Sequence, residues 1–268
     1  MKFSNILSVV ALASLPVSLS AHEFWIDPVD YTVASDGTLV AALRVGENFA
    51  GAEQPYLERS FERFDMRCAG DLDAVPGRAG DRPALNVAAP QDGLCVIIHQ
   101  TTDYTLTYDE WQKFVNFVEH KDFDRVLADH AARGLPETGF VELYSRYAKS
   151  LIAVGDGAGK DAKVGLLTEI VAEANPYTDN MAGGLPIRVL YNGAPRADAQ
   201  VELFARPPSG KVTVTLHRTD ANGRVTLPVQ PGYAYLADAV VLRPLEPRAE
   251  NDPVWESLWA SLTFAVPE

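Results

Sequence analysis

The chain has 268 residues, 47% of them apolar, a formal charge of −13, five histidines and two cysteines. That apolar share, without a long low-complexity tract, indicates a folded protein with substantial cores. Acidic residues spread along the whole chain with no basic cluster argue against nucleic acid as a partner.

Residues 1–21 read as a secretory leader, with Lys2 as the positive start, Ile6 to Leu19 as the apolar stretch and Ser20-Ala21 as a small-residue cleavage site. Cleavage after Ala21 takes Lys2 with it, leaving 247 residues and a formal charge of −14. No later apolar run approaches the ~20 residues that cross a bilayer. No cysteine follows the cut to carry a lipid. The expected location is therefore the periplasm, with the mature protein not spanning the membrane. The mature chain would begin His22-Glu23-Phe24-Trp25. A first-position histidine offers an α-amine and an imidazole nitrogen side by side, both good donors for nickel, copper or zinc. It can equally be an incidental product of where the peptidase cuts.

The predicted elements run as follows. Leu39, Ala41, Leu43 and Val45 alternate as in a half-buried strand, and Phe61 to Met66 is a shorter candidate. Leu94 to Gln100 is apolar on both faces, as in a strand enclosed between two sheets. Turn clusters at Pro76–Asp81 and Pro90–Gly93 separate these runs. Cys68 and Cys95, in a chain that meets an oxidising compartment, form either a disulfide or two buried thiols. A bridge would close a loop of about 27 residues and contribute about 3 kcal/mol. After Tyr108 the period changes. Asp109 can cap a helix that buries Trp111, Phe114, Val115 and Val118, and Phe123, Val126, Leu127 and His130 repeat that spacing. Glu142 to Gly155 fits helix or strand, with strand favoured by its Ala-Val-Gly ending. Glycines and a proline accumulate from Gly157 to Gly184, marking a boundary. Beyond it, short strands are predicted at 185–191, 199–205, 211–217, 223–227, 233–242 and 262–266, with Asn192-Gly193 and Asn222-Gly223 as hairpin signals.

The predicted architecture is mainly β: two immunoglobulin-like β-sandwich domains, the first (22–170) carrying a helical insertion at about 109–133, the second spanning 183–268. Trp255 and Trp259 read as core anchors ahead of the last strand. The sequence contains no G-x-S-x-G, phosphate-binding loop or dinucleotide fingerprint, so a non-catalytic protein is expected.

Several blocks in order, among them His22-Glu-Phe-Trp-Ile-Asp-Pro28, Leu43-Arg-Val-Gly-Glu-Asn-Phe-Ala-Gly51, Tyr144-Ser-Arg-Tyr-Ala-Lys149, Asn175-Pro-Tyr177 and Trp255-Glu-Ser-Leu-Trp-Ala-Ser-Leu-Thr-Phe264, resemble the exported proteins grouped as domain of unknown function 4198. The resemblance covers nearly the whole mature chain. It implies a β-rich, metal-handling protein of a nickel or cobalt uptake system whose mature chain commonly starts on this histidine.

The expected metal ligands are His22, His99 and Glu142, for a nickel, cobalt or copper ion. His99 lies at the end of an enclosed strand and faces the same way as Cys95. Glu142, Tyr144 and Arg146 share one face of their strand, where Glu142 either pairs with Arg146 or completes the metal shell. His120 is expected to be solvated, His130 to stack or meet terminal carbonyls, and His217 to lie on a strand surface. The leading expectation is a periplasmic binding protein for a divalent transition metal that delivers it to a membrane importer. The alternatives are a non-catalytic envelope interaction module and a copper histidine-brace redox protein.

Overall fold

The computed structural model describes residues 23–268. The expected leader and His22 lie outside the described residues. The first part of the chain forms β1 (Glu23–Pro28), β2 (Thr32–Val33), β3 (Thr38–Glu47), β4 (Ala50–Gln54), β5 (Phe61–Cys68), β6 (Asp71–Ala74), β7 (Leu85–Ala88), β8 (Gly93–Thr101) and β9 (Tyr104–Tyr108). Helices α1 (Trp111–His120) and α2 (Val126–Ala132) follow, then the long β10 (Phe140–Val154). The remainder supplies β11 (Thr168–Ala172), β12 (Leu185–Tyr191), β13 (Ala194–Pro195), β14 (Gln200–Arg206), β15 (Thr213–Arg218), β16 (Arg224–Leu227), β17 (Ala234–Pro244) and β18 (Pro253–Ala265).

The fold is mainly β with a helical insertion, and its two sandwiches share a sheet. Ten strands form one sheet in the order β15-β14-β17-β18-β10-β8-β5-β6, with β2 and β9 also paired to β10. The join is parallel pairing of β10 with β18, from Val141 opposite Pro253 to Ser150 opposite Thr263. Because side chains alternate across a strand, the shared sheet presents two apolar faces, and each is covered. On one, Leu94, Val96, Ile98, Leu151, Leu258 and Leu262 pack with Ile170, Ile187 and Val189 of the four-stranded sheet formed by β11, β12, β13 and β16. On the other, Cys95, Ile97, Ala148 and Ile152 pack with Phe24, Ile26, Leu39 and Leu85 of the sheet formed by β1, β3, β4 and β7. This explains why β8 is apolar on both faces from Leu94 to Ile98. β11 pairs with β12, so the chain changes sandwich before Thr168.

Where that second face runs beyond β1, the helices cover it. Phe114, Phe117, Val118 and Val126 pack on Val240, Trp255 and Trp259. The two tryptophans lie inside β18 and not ahead of it. The cap position of α1 is Glu110, not Asp109, and it makes no side-chain capping bond. His130 joins insertion to sheet through both nitrogens: Nε2 meets the Pro136 carbonyl at 2.9 Å and Nδ1 accepts the Trp255 indole N–H at 3.0 Å.

Cys68 and Cys95 stand directly opposite each other on β5 and β8 and are disulfide-bonded. On the other face of β10, Lys149 is fully buried and held by Asp161 at 2.7 Å and Glu169 at 3.2 Å. Glu169 also accepts the backbone N–H groups of Val164, Gly165 and Leu166, which ties the crossover loop to the shared sheet. Among the described residues no helix is long and apolar enough to cross a membrane.

Candidate functional site

Two of the three expected ligands fall among the described residues, and the fold does not bring them together. The antiparallel register of β8 and β10 sets Leu151 opposite Val96. Continued, it sets His99 level with Ala148, six residues from Glu142, or about 20 Å at ~3.3 Å per residue.

Glu142 is fully buried with both oxygens engaged. Oε2 accepts the Tyr108 hydroxyl at 2.7 Å, and Oε1 accepts the Ser257 hydroxyl, which in turn accepts the Trp259 indole N–H at 2.8 Å. Burial pushes this carboxyl up to about 7, with the two hydrogen bonds and the Arg146 charge acting against it. Its oxygens thus serve Tyr108 and Ser257, while the Arg146 guanidinium lies over the Tyr144 ring at 4.8 Å. The pairing expected between Glu142 and Arg146 is replaced by these contacts.

His99 faces the same way as Cys95 and is 2% exposed. Its ring sits among Phe24 (5.0 Å between centroids), Phe64 (5.1 Å) and Phe61 (5.4 Å). Burial lowers its pKa to about 3, so the imidazole is neutral and its lone pair is available. Nδ1 is buried without a hydrogen-bond partner. A buried polar atom left unpaired is costly, and the ring that carries this one packs on Phe24, two residues after His22.

On the other side of β1, a cavity of about 560 Å³ opens between α1, β9, β14 and the turn joining β3 to β4. That turn places Asn48 and Phe49 at positive φ, 53° and 57°. For a bulky residue such a backbone costs on the order of 1 kcal/mol. Burial of the Phe49 ring against Trp25, at 5.6 Å between centroids, holds it there. Gly46 and Gly51 flank the turn as cross-strand partners, and a Cβ on Gly46 would stand 2.1 Å from the Ala50 carbonyl oxygen. Only glycine fits so close an approach.

The cavity wall carries a buried charge cluster. Lys121 Nζ contacts Glu202 at 2.7 Å, Asp238 at 3.0 Å and Glu23 at 3.4 Å, and sits 4.8 Å above the Trp259 ring. His120 Nε2 meets the other Glu202 oxygen at 3.2 Å. Burial pulls the Lys121 ammonium down, but the charges of Asp238, Glu202 and Glu23 outweigh it and hold the group well above its ordinary value. Burial raises Glu23, and raises Asp238 to about 7. Glu202 is lowered, because the His120 hydrogen bond and the Lys121 charge overcome its burial. The Glu202 hydrogen bond raises His120. His120 was expected to be solvated, and its side chain is 60% exposed, but it is bonded to the wall.

Sequence reading missed this cluster. Its signal was a single charge inside an otherwise apolar strand: Glu202 between Val201 and Leu203, Asp238 between Ala237 and Ala239. Such a charge is tolerated only with buried partners. His217 lies on β15, the outermost strand of the shared sheet, bonded to Thr215 at 2.8 Å.

Among solved structures, the chain is similar to a tetra-tandem repeat in the extending region of a large adhesion protein, at 12% identity over 91% of this chain and 49% of that one, with a TM-score of 0.20. It is also similar to the D0-D1 domain of intimin, at 11% identity over 91% of this chain and 97% of that one, with a TM-score of 0.21. The chain thus spans about half the length of the adhesion-protein repeat. No curated protein matches it. A family model described as Domain of unknown function (DUF4198) matches residues 19–242, and the chain belongs to that family.

Proposed function

We propose that this chain is an exported, non-catalytic binding protein for a divalent transition metal, nickel or cobalt, acting with a membrane uptake system. In this reading the amine and imidazole of His22 hold the ion and His99 adds a third donor. The observation that carries it is the state of His99: a neutral imidazole with one buried nitrogen unpaired, packed on Phe24, two residues from His22. Imidazole and amine donors suit nickel and cobalt. The described residues hold no group of three or more histidines, cysteines or carboxylates arranged for a metal, so the shell needs His22. Glu142 has no part in it, since Tyr108 and Ser257 already occupy its oxygens. The uptake role rests on the family resemblance.

Titration calorimetry with Ni²⁺ and Co²⁺ on processed protein tests the reading. His22→Ala and His99→Phe should each weaken binding by more than tenfold, about 1.4 kcal/mol, while His217→Ala leaves it unchanged. Phenylalanine fills the same aromatic cage, so loss of affinity in His99→Phe reports the missing donor. Equal affinity in wild type and His22→Ala would overturn the reading.

A further inference from the structure

We infer that the cavity between α1 and β14 binds a small uncharged aromatic compound, its ring against Leu106, Phe117, Phe204 and Trp259 and its polar end at the rim beside Asn48 and Asn116. This site is independent of the metal reading. Glu23 and Phe24 point to opposite sides of β1, so the cavity and the cage around His99 are separate places.

Three observations carry it. First, about 560 Å³ is far more than a bare ion fills and is the size of a small-molecule pocket. Second, the lining is rich in rings whose polar tips are turned away: the Tyr108 hydroxyl donates to Glu142 and the Trp259 indole N–H to Ser257. Walls of this kind pair best with another aromatic ring, edge to face or offset. The apolar character continues to the mouth. Val214, 40% exposed, lines the cavity, and Leu216, 60% exposed, follows it on the same side of β15. They are two of the four large apolar side chains left exposed among the described residues. Third, the charged groups of the wall are already matched to one another. One Glu202 oxygen accepts from Lys121 at 2.7 Å and the other meets His120 at 3.2 Å, while Glu23 meets the same lysine at 3.4 Å. The Lys121 and Glu202 side chains are only 5% and 2% exposed, so an uncharged ring laid over them strips away little further water. A charged ligand would lose its own hydration and would have to break one of these pairs to gain a counter-charge. At the rim Glu47 is engaged, and Lys113 is met by Glu110 at 3.0 Å. Both rim groups are exposed, where attraction between charges is weak.

Calorimetry on processed protein in chelator, with 2-phenylethanol, 2-phenylethylamine, 3-phenylpropanoate and 2-cyclohexylethanol, separates the contributions of charge and ring. The phenyl alcohol should bind saturably, and the amine and the carboxylate each about tenfold or more weakly, for want of a counter-charge. 2-Cyclohexylethanol, uncharged but without an aromatic ring, should bind about twofold or more weakly than the phenyl alcohol. Asn116→Trp, on the exposed face of α1 at the cavity wall, should abolish binding of the phenyl alcohol by filling the space, and if that variant does not fold, the four ligands decide alone. His99→Phe should leave this binding unchanged, which separates the site from the metal reading. Binding of the amine, the carboxylate or 2-cyclohexylethanol as tight as that of 2-phenylethanol would overturn the inference. So would the lack of saturable binding of 2-phenylethanol at millimolar concentration, or full binding by folded Asn116→Trp.

Discussion

Tyr108 donates a 2.7 Å hydrogen bond to Glu142, so β9, the strand that leads into the helical insertion, is locked to β10 through a carboxyl that has no exposure to solvent. Burial holds that carboxyl at about 7, above its ordinary 4.5. A carboxyl raised on folding binds more protons in the native state, so its contribution is fully present below about pH 4.5 and is lost as pH rises through 7. The loss is on the order of 3 kcal/mol, because each pH unit between the two values is worth ~1.4 kcal/mol. Urea melts at pH 5 and pH 8 should show lower stability at the higher pH, and Glu142→Gln should remove much of the difference. Asp238, also raised to about 7, acts in the same sense and leaves a residual slope. A pH dependence identical in wild type and Glu142→Gln would show that the carboxyl is not raised.

The Cys68–Cys95 disulfide spans 27 residues and joins the directly opposed positions of β5 and β8. Replacing both cysteines by serine should lower unfolding free energy by about 3 kcal/mol, the loop-closure value for this length. Denaturant midpoints of the oxidised protein and the double variant give the comparison.

Lys149→Met leaves Asp161 on the crossover loop and Glu169 on β11 as uncompensated buried carboxylates. The expected cost is about 3–5 kcal/mol. Adding Asp161→Asn and Glu169→Gln to the same protein should recover part of it, because the carboxylate charges left unpaired are then removed. A neutral outcome for Lys149→Met in thermal melts would mean that the loop is held by other contacts.

His99→Phe should hold or raise stability by up to about 1 kcal/mol, since it removes an unpaired buried nitrogen from a cage of three phenylalanines. Scanning calorimetry without metal measures this. Combined with the expected loss of metal affinity, such a result would mark the histidine as kept for binding at a cost in stability.

Local pattern was enough for most elements. The alternation of Leu39, Ala41, Leu43 and Val45 in β3, the doubly apolar β8, the Asn192-Gly193 turn and the helical spacing of Trp111, Phe114 and Val118 each depend on neighbours in sequence, and each appears where the residues place it. The disulfide was legible as a possibility from count and spacing, and pairing across β5 and β8 decided it. β1 and β11 were not predicted, and β11 is bordered by glycine-rich loop sequence.

What only the tertiary structure decided was which distant charges and rings meet. The amino-acid order shows Glu23, Lys121, Glu202 and Asp238 as four isolated ionisable residues, up to 215 positions apart. They converge because β1 crosses the face of the shared sheet, α1 ends above it, and β14 and β17 lie side by side within it. In the same way His99 and Glu142 look like partners on neighbouring apolar strands, but the register of β8 against β10 separates them by several residues. Side-chain alternation is a property of two neighbouring peptide units and can be read locally, whereas sheet order and register are set by burial of whole faces, a sum over the chain that no short segment carries.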